Sequence, residues 1–278
     1  MKKNTKISIL FLFFISGCTT LDLQSQEILH YNEDKVVENP PEIVGNTVLI
    51  ANWNIQIFGK SKASKPELME FYEQTLENNY DIIFIQEIRD KSGEAFEQLC
   101  QRFEEYNCQI SSRAGQSTSK EQYGIISRKG IEVTLRDYNK GEYMTQFNRP
   151  PVAVDFKVNN YTFTAVNIHT DPDDVPEEIG YLEQIVMEHE NSGNIILLGD
   201  LNADCAYYNN DKEVHFDSWN WLIKDSEDTT LSKNDCSYDR IILNDDMSQE
   251  YITHGIFRDR INKNHSDHYL IWGEFKIE

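Results

Sequence analysis

Two stretches of this 278-residue chain constrain its fold more than anything else in it. DIIFIQE (81–87) and NIILLGD (194–200) are nearly continuous aliphatic runs, and each ends in an acid. An aliphatic run without polar alternation is a strand buried on both faces, so the sheet that carries it must be covered on both sides. Strands and helices alternate around the two runs. TVLIANWNI (47–55) reads as a strand, and Pro66–Asn79 as a helix, with Leu68, Phe71, Tyr72 and Leu76 at helical spacing and Pro66 in its first turn. Glu94–Glu105 and Val175–Glu190 read as helices, and Phe216–Ile223 as a short one. Further strands are expected around 106–112, 122–128, 131–138, 151–158 and 161–169, with a hairpin turn at Asn159-Asn160, and at 239–243 and 268–277. One domain of mixed α and β elements over 47–278 accommodates this pattern.

The apolar strands share a second property. NWNIQIFG, FIQEIRD, VNIHTDPD and LLGDLNAD all run from aliphatic residues into a polar cluster. In layered α/β folds ligands gather at strand ends, so these clusters are expected to converge. A single carboxylate after a strand is more often a cap or turn residue than a catalyst. The expectation of chemistry therefore rests on the set and not on one member.

The N-terminal segment is not part of the fold. Lys2, Lys3 and Lys6 precede the apolar run Ile7–Ile15, and ISGC follows at 15–18. This is the pattern of a signal peptide over 1–17, and Cys18 after a small residue resembles a bacterial lipidation site. Residues 18–46 are polar, with Pro40-Pro41 near the end, and read as a tether. The expected location is the bacterial cell envelope, lipid-anchored and facing the periplasm or the exterior. Removing Met1–Gly17, with its three lysines and no acid, takes the formal charge from −21 to −24. Such acidity excludes a general basic surface for nucleic acid, so a phosphate-handling site would depend on metal ions and local arginines. Cys100, Cys108, Cys205 and Cys236 remain after Cys18, an even number that favours two disulfides in an exported protein. Four cysteines leave three pairings open.

Taken in order, Asn54, Glu87, His169, Asp200 with Asn202, and the terminal Ser266-Asp267-His268 resemble the endonuclease/exonuclease/phosphatase superfamily. KEQY (120–123), DSEDTT (225–230) and CSYDRI (236–241) are more specific, and resemble its deoxyribonuclease I branch. The resemblance covers most of 47–275 and implies a four-layered α/β sandwich, two packed mixed sheets flanked by helices. It implies a Cys205–Cys236 bond, which leaves Cys100 with Cys108. It also implies a Mg²⁺ (or Mn²⁺) site on Glu87, with Asn54 and Asp267 in support, since Mg²⁺ takes few carboxylates and keeps several waters. His268 backed by Asp239, and His169 backed by Glu121, are the expected base and acid, because a carboxylate fixes an imidazole's tautomer and stabilises its cation. Asp200 and Asn202 are expected to position water and phosphate. The plainer alternatives are a strand-entry ion pair for Asp239-Arg240 and a turn cap for Asn54.

Arg89 and Arg149 match arginines that contact phosphate in that family. The chain departs from the family elsewhere. Gln56 replaces an arginine that enters the minor groove, Ser119 a tyrosine that packs on a sugar, and Gln116-Ser117 an Arg-Asn pair. Asp228, Thr230 and Asn234 match a structural Ca²⁺ site or form a plain polar loop. The sequence thus points to an exported, lipid-anchored, metal-dependent phosphodiesterase, a monomer acting as an endonuclease on DNA. The alternatives are a superfamily phosphoesterase for a lipid or inositol phosphate, and a non-catalytic surface binding protein on the same scaffold.

Overall fold

The two aliphatic runs become central strands of two different sheets. The computed structural model describes residues 45–277, apart from 78, 117–118, 190–192 and 210–211. Cys18, the expected signal peptide and nearly all of the tether lie outside the described residues. In chain order the strands are β1 (Thr47–Phe58), β2 (Ile82–Ile88), β3 (Tyr106–Ile110), β4 (Gln122–Arg128), β5 (Ile131–Asp137), β6 (Val152–Val158), β7 (Tyr161–His169), β8 (Ile195–Asp200), β9 (Asn220–Trp221), β10 (Asp239–Leu243), β11 (Tyr251–Phe257) and β12 (Leu270–Lys276). The helices are α1 (Lys60–Ala63), α2 (Pro66–Leu76), α3 (Glu94–Cys100), α4 (Tyr143–Gln146), α5 (Val175–Met187) and α6 (Asp245–Glu250).

Six strands form one sheet in the order β11-β12-β1-β2-β4-β3, and six the other in the order β5-β6-β7-β8-β10-β9. In each, a parallel pair sits among antiparallel neighbours: β1 with β2, and β7 with β8. Between the sheets lies a core of Val48, Ile50, Phe84, Val154, Phe156, Ile196, Leu198, Ile241 and Phe275. On the outer face of the first sheet, Trp53, Ile83 and Ile85 pack against Leu68, Tyr72 and Leu76 of α2 and Phe96 and Leu99 of α3. On the outer face of the second, Val166, Ile168 and Leu197 meet Ile179, Leu182 and Ile185 of α5. The result is helix, sheet, sheet, helix: the four-layered sandwich expected, its central strands buried on both faces as their sequences require.

The expected helix Phe216–Ile223 does not form. Phe216 takes φ +53, outside the helical range, and Asn220–Trp221 pairs as β9 with the edge of β10. The Leu222 N–H continues to the Ile241 carbonyl at 2.8 Å, and Trp221 lies over the Arg240 guanidinium at 5.5 Å. These contacts use the aromatic cluster to cover β10, where a helix would have left its edge open. Two elements not expected from the sequence, α6 and β11, follow β10. The Asn244 side chain caps α6 by accepting from Met247 N at 3.0 Å.

Candidate active site

Asp200 is the last residue of β8, and its neighbours on both sides carry functional groups. Across the parallel ladder it sits opposite His169, and across the antiparallel ladder opposite Asp239. The approach of β8 to β7 here is possible only because Gly199 precedes it. Gly199 has φ +147, and a Cβ there would stand 2.0 Å from the Ile168 carbonyl oxygen. The carboxylate of Asp200 is buried, and its Oδ2 is the centre of the site. Asn54 Nδ2, from the first sheet, donates to it at 3.0 Å. The Nε2 atoms of His169 and of His268 each lie 3.4 Å from the same oxygen.

Each imidazole is held from behind by a carboxylate. His169 Nδ1 donates to Glu121 Oε2 at 2.8 Å, and His268 Nδ1 donates to Asp239 Oδ2 at 2.7 Å. Burial disfavours the charged form of both rings, but the carboxylates outweigh it. His169 is raised by Glu121 and Asp200 against the opposing Arg149. His268 is raised by Asp239 and Asp200. Burial pushes Glu121 up as well, yet His169, Arg149 and Arg89 together hold it down at about 2. The backbone fixes the rings too: His169 N–H donates to the Tyr123 hydroxyl at 3.0 Å, and the His268 carbonyl accepts from Trp53 Nε1 at 2.9 Å.

Of the expected cation ligands, Asp267 lies just before β12, and Asn54 and Glu87 lie at the strained ends of β1 and β2. Both strands shift register there, between Asn54 and Phe58 and between Ile85 and Ile88. Gln56, Ile57 and Glu87 have φ of +43, +50 and +60, and Asn202 has +48. Half of the eight non-glycine residues with positive φ among the described residues therefore belong to the site. The bulges aim Glu87 at Asn54 Nδ2 (3.3 Å) and at the Ile57 N–H (2.8 Å). Asp267 accepts from Gln56 Nε2 at 2.6 Å through Oδ2, while its Oδ1 is buried without a hydrogen-bond partner. The orphaned Asp267 oxygen and the Glu87 carboxylate, each tied to the β1 bulge through Gln56 and through Asn54 and Ile57 respectively, are hard-oxygen donors of the kind a small divalent cation takes. Ligating atoms of Glu87, Glu121 and His169 also lie within 4.8 Å of one another, as do those of Asp200, Asp239 and His268.

The structure gives other residues of the expected site more definite positions. Asn202 Nδ2 donates to the Thr170 carbonyl at 3.1 Å, fixing its loop against β7. Arg89 bridges Glu121 (2.9 Å) and Glu87 (3.0 Å), and so links the histidine side of the site to the expected metal side. Arg149 donates to the carbonyls of His169 and Thr170, and acts as a strut under the His169 turn. Asp228, Thr230 and Asn234 fall in one loop. There Asp228 Oδ1 accepts from Thr230 N and Cys236 N, which closes a polar turn. Cys205 bonds Cys236 and Cys100 bonds Cys108. Asp204 ties the same loop by accepting from Ser237 N at 2.7 Å.

A buried network beneath the site escaped sequence reasoning. Gln86 Oε1 accepts from the Asp200 N–H at 3.0 Å, and Gln86 Nε2 donates to the Ile168 carbonyl at 2.6 Å. Asn167 Nδ2 donates to Asn52 Oδ1 at 2.8 Å and to the Leu198 carbonyl at 2.9 Å. These amides clamp the two sheets together directly under Asp200. The signal for them was present as polar residues one or two places before each catalytic strand end: NWN, IQE and VNIH.

A model of the endonuclease/exonuclease/phosphatase family matches residues 51–268. The chain is 29% identical to deoxyribonuclease-1 of Gallus gallus, over 84% of this chain and 92% of that protein. It is 32% identical to deoxyribonuclease-1 of Equus caballus, over 75% of this chain and 81% of that protein. Among solved structures it is similar in fold to truncated TDP2 of Caenorhabditis elegans, with a TM-score of 0.60, 20% identity, and coverage of 83% of this chain and 98% of that one.

Proposed function

Because the chain belongs to the endonuclease/exonuclease/phosphatase family, we propose that it is a divalent-metal-dependent phosphodiesterase whose substrate is DNA. The observation that carries the reading is the convergence of two carboxylate-backed imidazoles on one point, each with Nε2 3.4 Å from Asp200 Oδ2. Hydrolysis of a diester needs one group to take a proton from water and another to give one to the departing oxygen. A phosphate set between the two rings has one on each side. His268, held by Asp239, orients the attacking water together with Asp200, and this pair takes its proton. His169, held by Glu121, protonates the leaving oxygen. Asn54 and Asn202 place amide groups beside the phosphate path. A Mg²⁺ or Mn²⁺ ion on Glu87, Asn54 and Asp267 would supply charge neutralisation at a phosphate oxygen. DNA as the substrate is supported by the curated relatives, which are deoxyribonucleases matched over most of their length.

We further propose that the protein is exported and anchored through a lipid on Cys18. The lysine-flanked apolar start and the ISGC sequence support this, and so do the two disulfides, which suit an oxidising compartment. Incubating the full-length protein with plasmid DNA, sphingomyelin and an inositol polyphosphate tests the activity. Mg²⁺-dependent nicking, lost with a chelator and in His169→Ala or His268→Ala, is expected. Turnover of the lipid or inositol phosphate without any nicking would overturn the assignment. Incorporation of labelled palmitate, lost in Cys18→Ser, tests the anchor.

A further inference from the structure

A cavity of about 300 Å³ opens directly from the reaction centre, with His268 and Asp267 in one wall. Leu231, Tyr238, Gln56, Lys263 and the hydroxyl residues Thr230 and Ser232 line the rest of it. A volume near 300 Å³ is at the small end of cavities that hold discrete ligands, which run from roughly 300 to 1,000 Å³. The walls are chemically divided. Leu231, packed against the outer core of the first sheet, and the Tyr238 ring form an apolar slot. The aromatic surface continues outward, because Tyr207 lies 5.4 Å from Tyr238, ring centre to ring centre, and is 39% exposed. Gln56 adds an amide that its bond to Asp267 Oδ2 holds in place. Lys263 is exposed and is the only lysine or arginine among the described residues of the lining.

We propose that this cavity holds the unpaired nucleoside attached to the scissile phosphate, so that the enzyme prefers single-stranded DNA to duplex. The inference rests on the reading that the chain hydrolyses nucleic-acid diesters, and it names the form of substrate that site takes. A group in the cavity is next to His268, and so within one linkage of a phosphate lying between the two imidazoles. A planar base suits a slot walled by leucine and tyrosine, and any base offers a face to an aromatic ring. One lysine at the mouth suits the next phosphate along the strand. The same lysine repels a quaternary ammonium headgroup, and one lysine beyond the reaction centre is too few for the several phosphates of a polyphosphorylated inositol ring.

Duplex DNA meets two obstacles. A base stacked inside a helix has to be extruded before it can enter a pocket, and extrusion is least unfavourable where the base is already unpaired. Duplex binding also draws most of its strength from cations along the backbone, and this chain carries a formal charge of −21 with 26 Lys and Arg against 47 Asp and Glu.

The test measures kcat/KM of the full-length protein with Mg²⁺ on one oligonucleotide sequence, single-stranded and annealed. Single strands are expected to be cut about tenfold faster or more. Tyr238→Ala is expected to lower the single-strand value by roughly 5- to 150-fold, the range for loss of one base–aromatic stack, and to bring the ratio towards one. Tyr238→Phe keeps the stack and the ratio. Lys263→Ala, on the exposed rim, raises KM for single strands and flattens its salt dependence. Thermal melting of each variant separates these effects from misfolding. Faster cutting of duplex, or a ratio untouched in a folded Tyr238→Ala and in Lys263→Ala, overturns the inference and leaves the nuclease assignment standing. Failure to cut either strand form overturns both.

Discussion

Glu121 is the residue whose removal tests the site most sharply. It is buried, and it accepts from His169 Nδ1 at 2.8 Å and from Arg89 at 2.9 Å, with Arg149 Nε 3.7 Å away. Glu121→Gln keeps the volume and one acceptor but deletes the charge. His169 then faces Arg149 without its main support, and burial drives the ring neutral. If His169 protonates the leaving oxygen, kcat falls by roughly 10²- to 10⁴-fold, the usual contribution of general acid catalysis. The alkaline limb of the pH–rate profile moves to lower pH.

Stability responds as well, with a defined pH signature. The carboxyl is held at about 2 against an ordinary 4.5, which at about 1.36 kcal/mol per pH unit is roughly 3 kcal/mol. Between these values the unfolded chain binds the proton and the folded one does not. The contribution is therefore fully present above about pH 5 and drains away as pH falls from about 4.5 towards 2. Urea unfolding at pH 7 should show Glu121→Gln less stable by about 3 kcal/mol, and the gap should shrink by more than half by about pH 3. A gap of equal size at both pH values would refute the claim that the His169–arginine cluster holds Glu121 ionised. An unchanged pH–rate profile would refute its role behind His169.

Four further outcomes follow from packing and covalent structure. The Cys205–Cys236 bond closes 31 residues and the Cys100–Cys108 bond 8, so replacing each pair by serine should cost about 3–4 and about 2–3 kcal/mol respectively by chain entropy. Urea titration under oxidising conditions checks the order. Activity of the Cys205→Ser/Cys236→Ser protein at low temperature should persist, because Thr170 Oγ1, Arg240 and Ser237 N independently hold Leu201, Ala203 and Asp204. Gly199→Ala drives a methyl to within 2.0 Å of a carbonyl oxygen and should destabilise by at least about 3 kcal/mol, seen as a collapse of the melting temperature. Lys62 donates to the carbonyls of Ile55 and His265, at 2.8 and 2.7 Å. Lys62→Met leaves the Ile55 oxygen stranded and should cost about 1–3 kcal/mol in a denaturant melt.

The sequence shows clearly whatever depends on strand ends. DIIFIQE and NIILLGD are too uniformly aliphatic to be anything but central strands, and the acids that close them have to leave the core together. Their meeting with His169 and with Asp239-His268 is then a matter of register. The two sheets meet at these ends through polar groups. That is why the roles of Gln86, Asn52 and Asn167 are hidden in the sequence: each sits inside an apolar run, where a polar residue has no visible partner. The interface between the sheets is what gives them partners. Phe216–Ile223 failed for a related reason. Its aromatic residues look like a helix face, yet their use is to cover Arg240 and the edge of β10, which only the assembled second sheet presents. The Arg89 bridge between Glu87 and Glu121 likewise depends on the bulge that turns Glu87 to φ +60, and a bulge leaves no mark in residue spacing.

The strand order also sets a timetable. β1 is made first, yet one of its edges stays bare until β12, near the end of the chain, pairs along it from Thr47↔Lys276 to Asn52↔Ile271. Asp267 and His268 arrive just ahead of that strand, and Ser266 Oγ closes on the Asn54 carbonyl at 2.5 Å, joining residues 212 positions apart. A nascent chain still short of these residues holds Glu87, His169 and Asp200 but cannot complete the site. Synthesis and assembly of the site are thereby separated in time: residues 266–276 must be made before the first sheet gains β12 and His268 reaches Asp200.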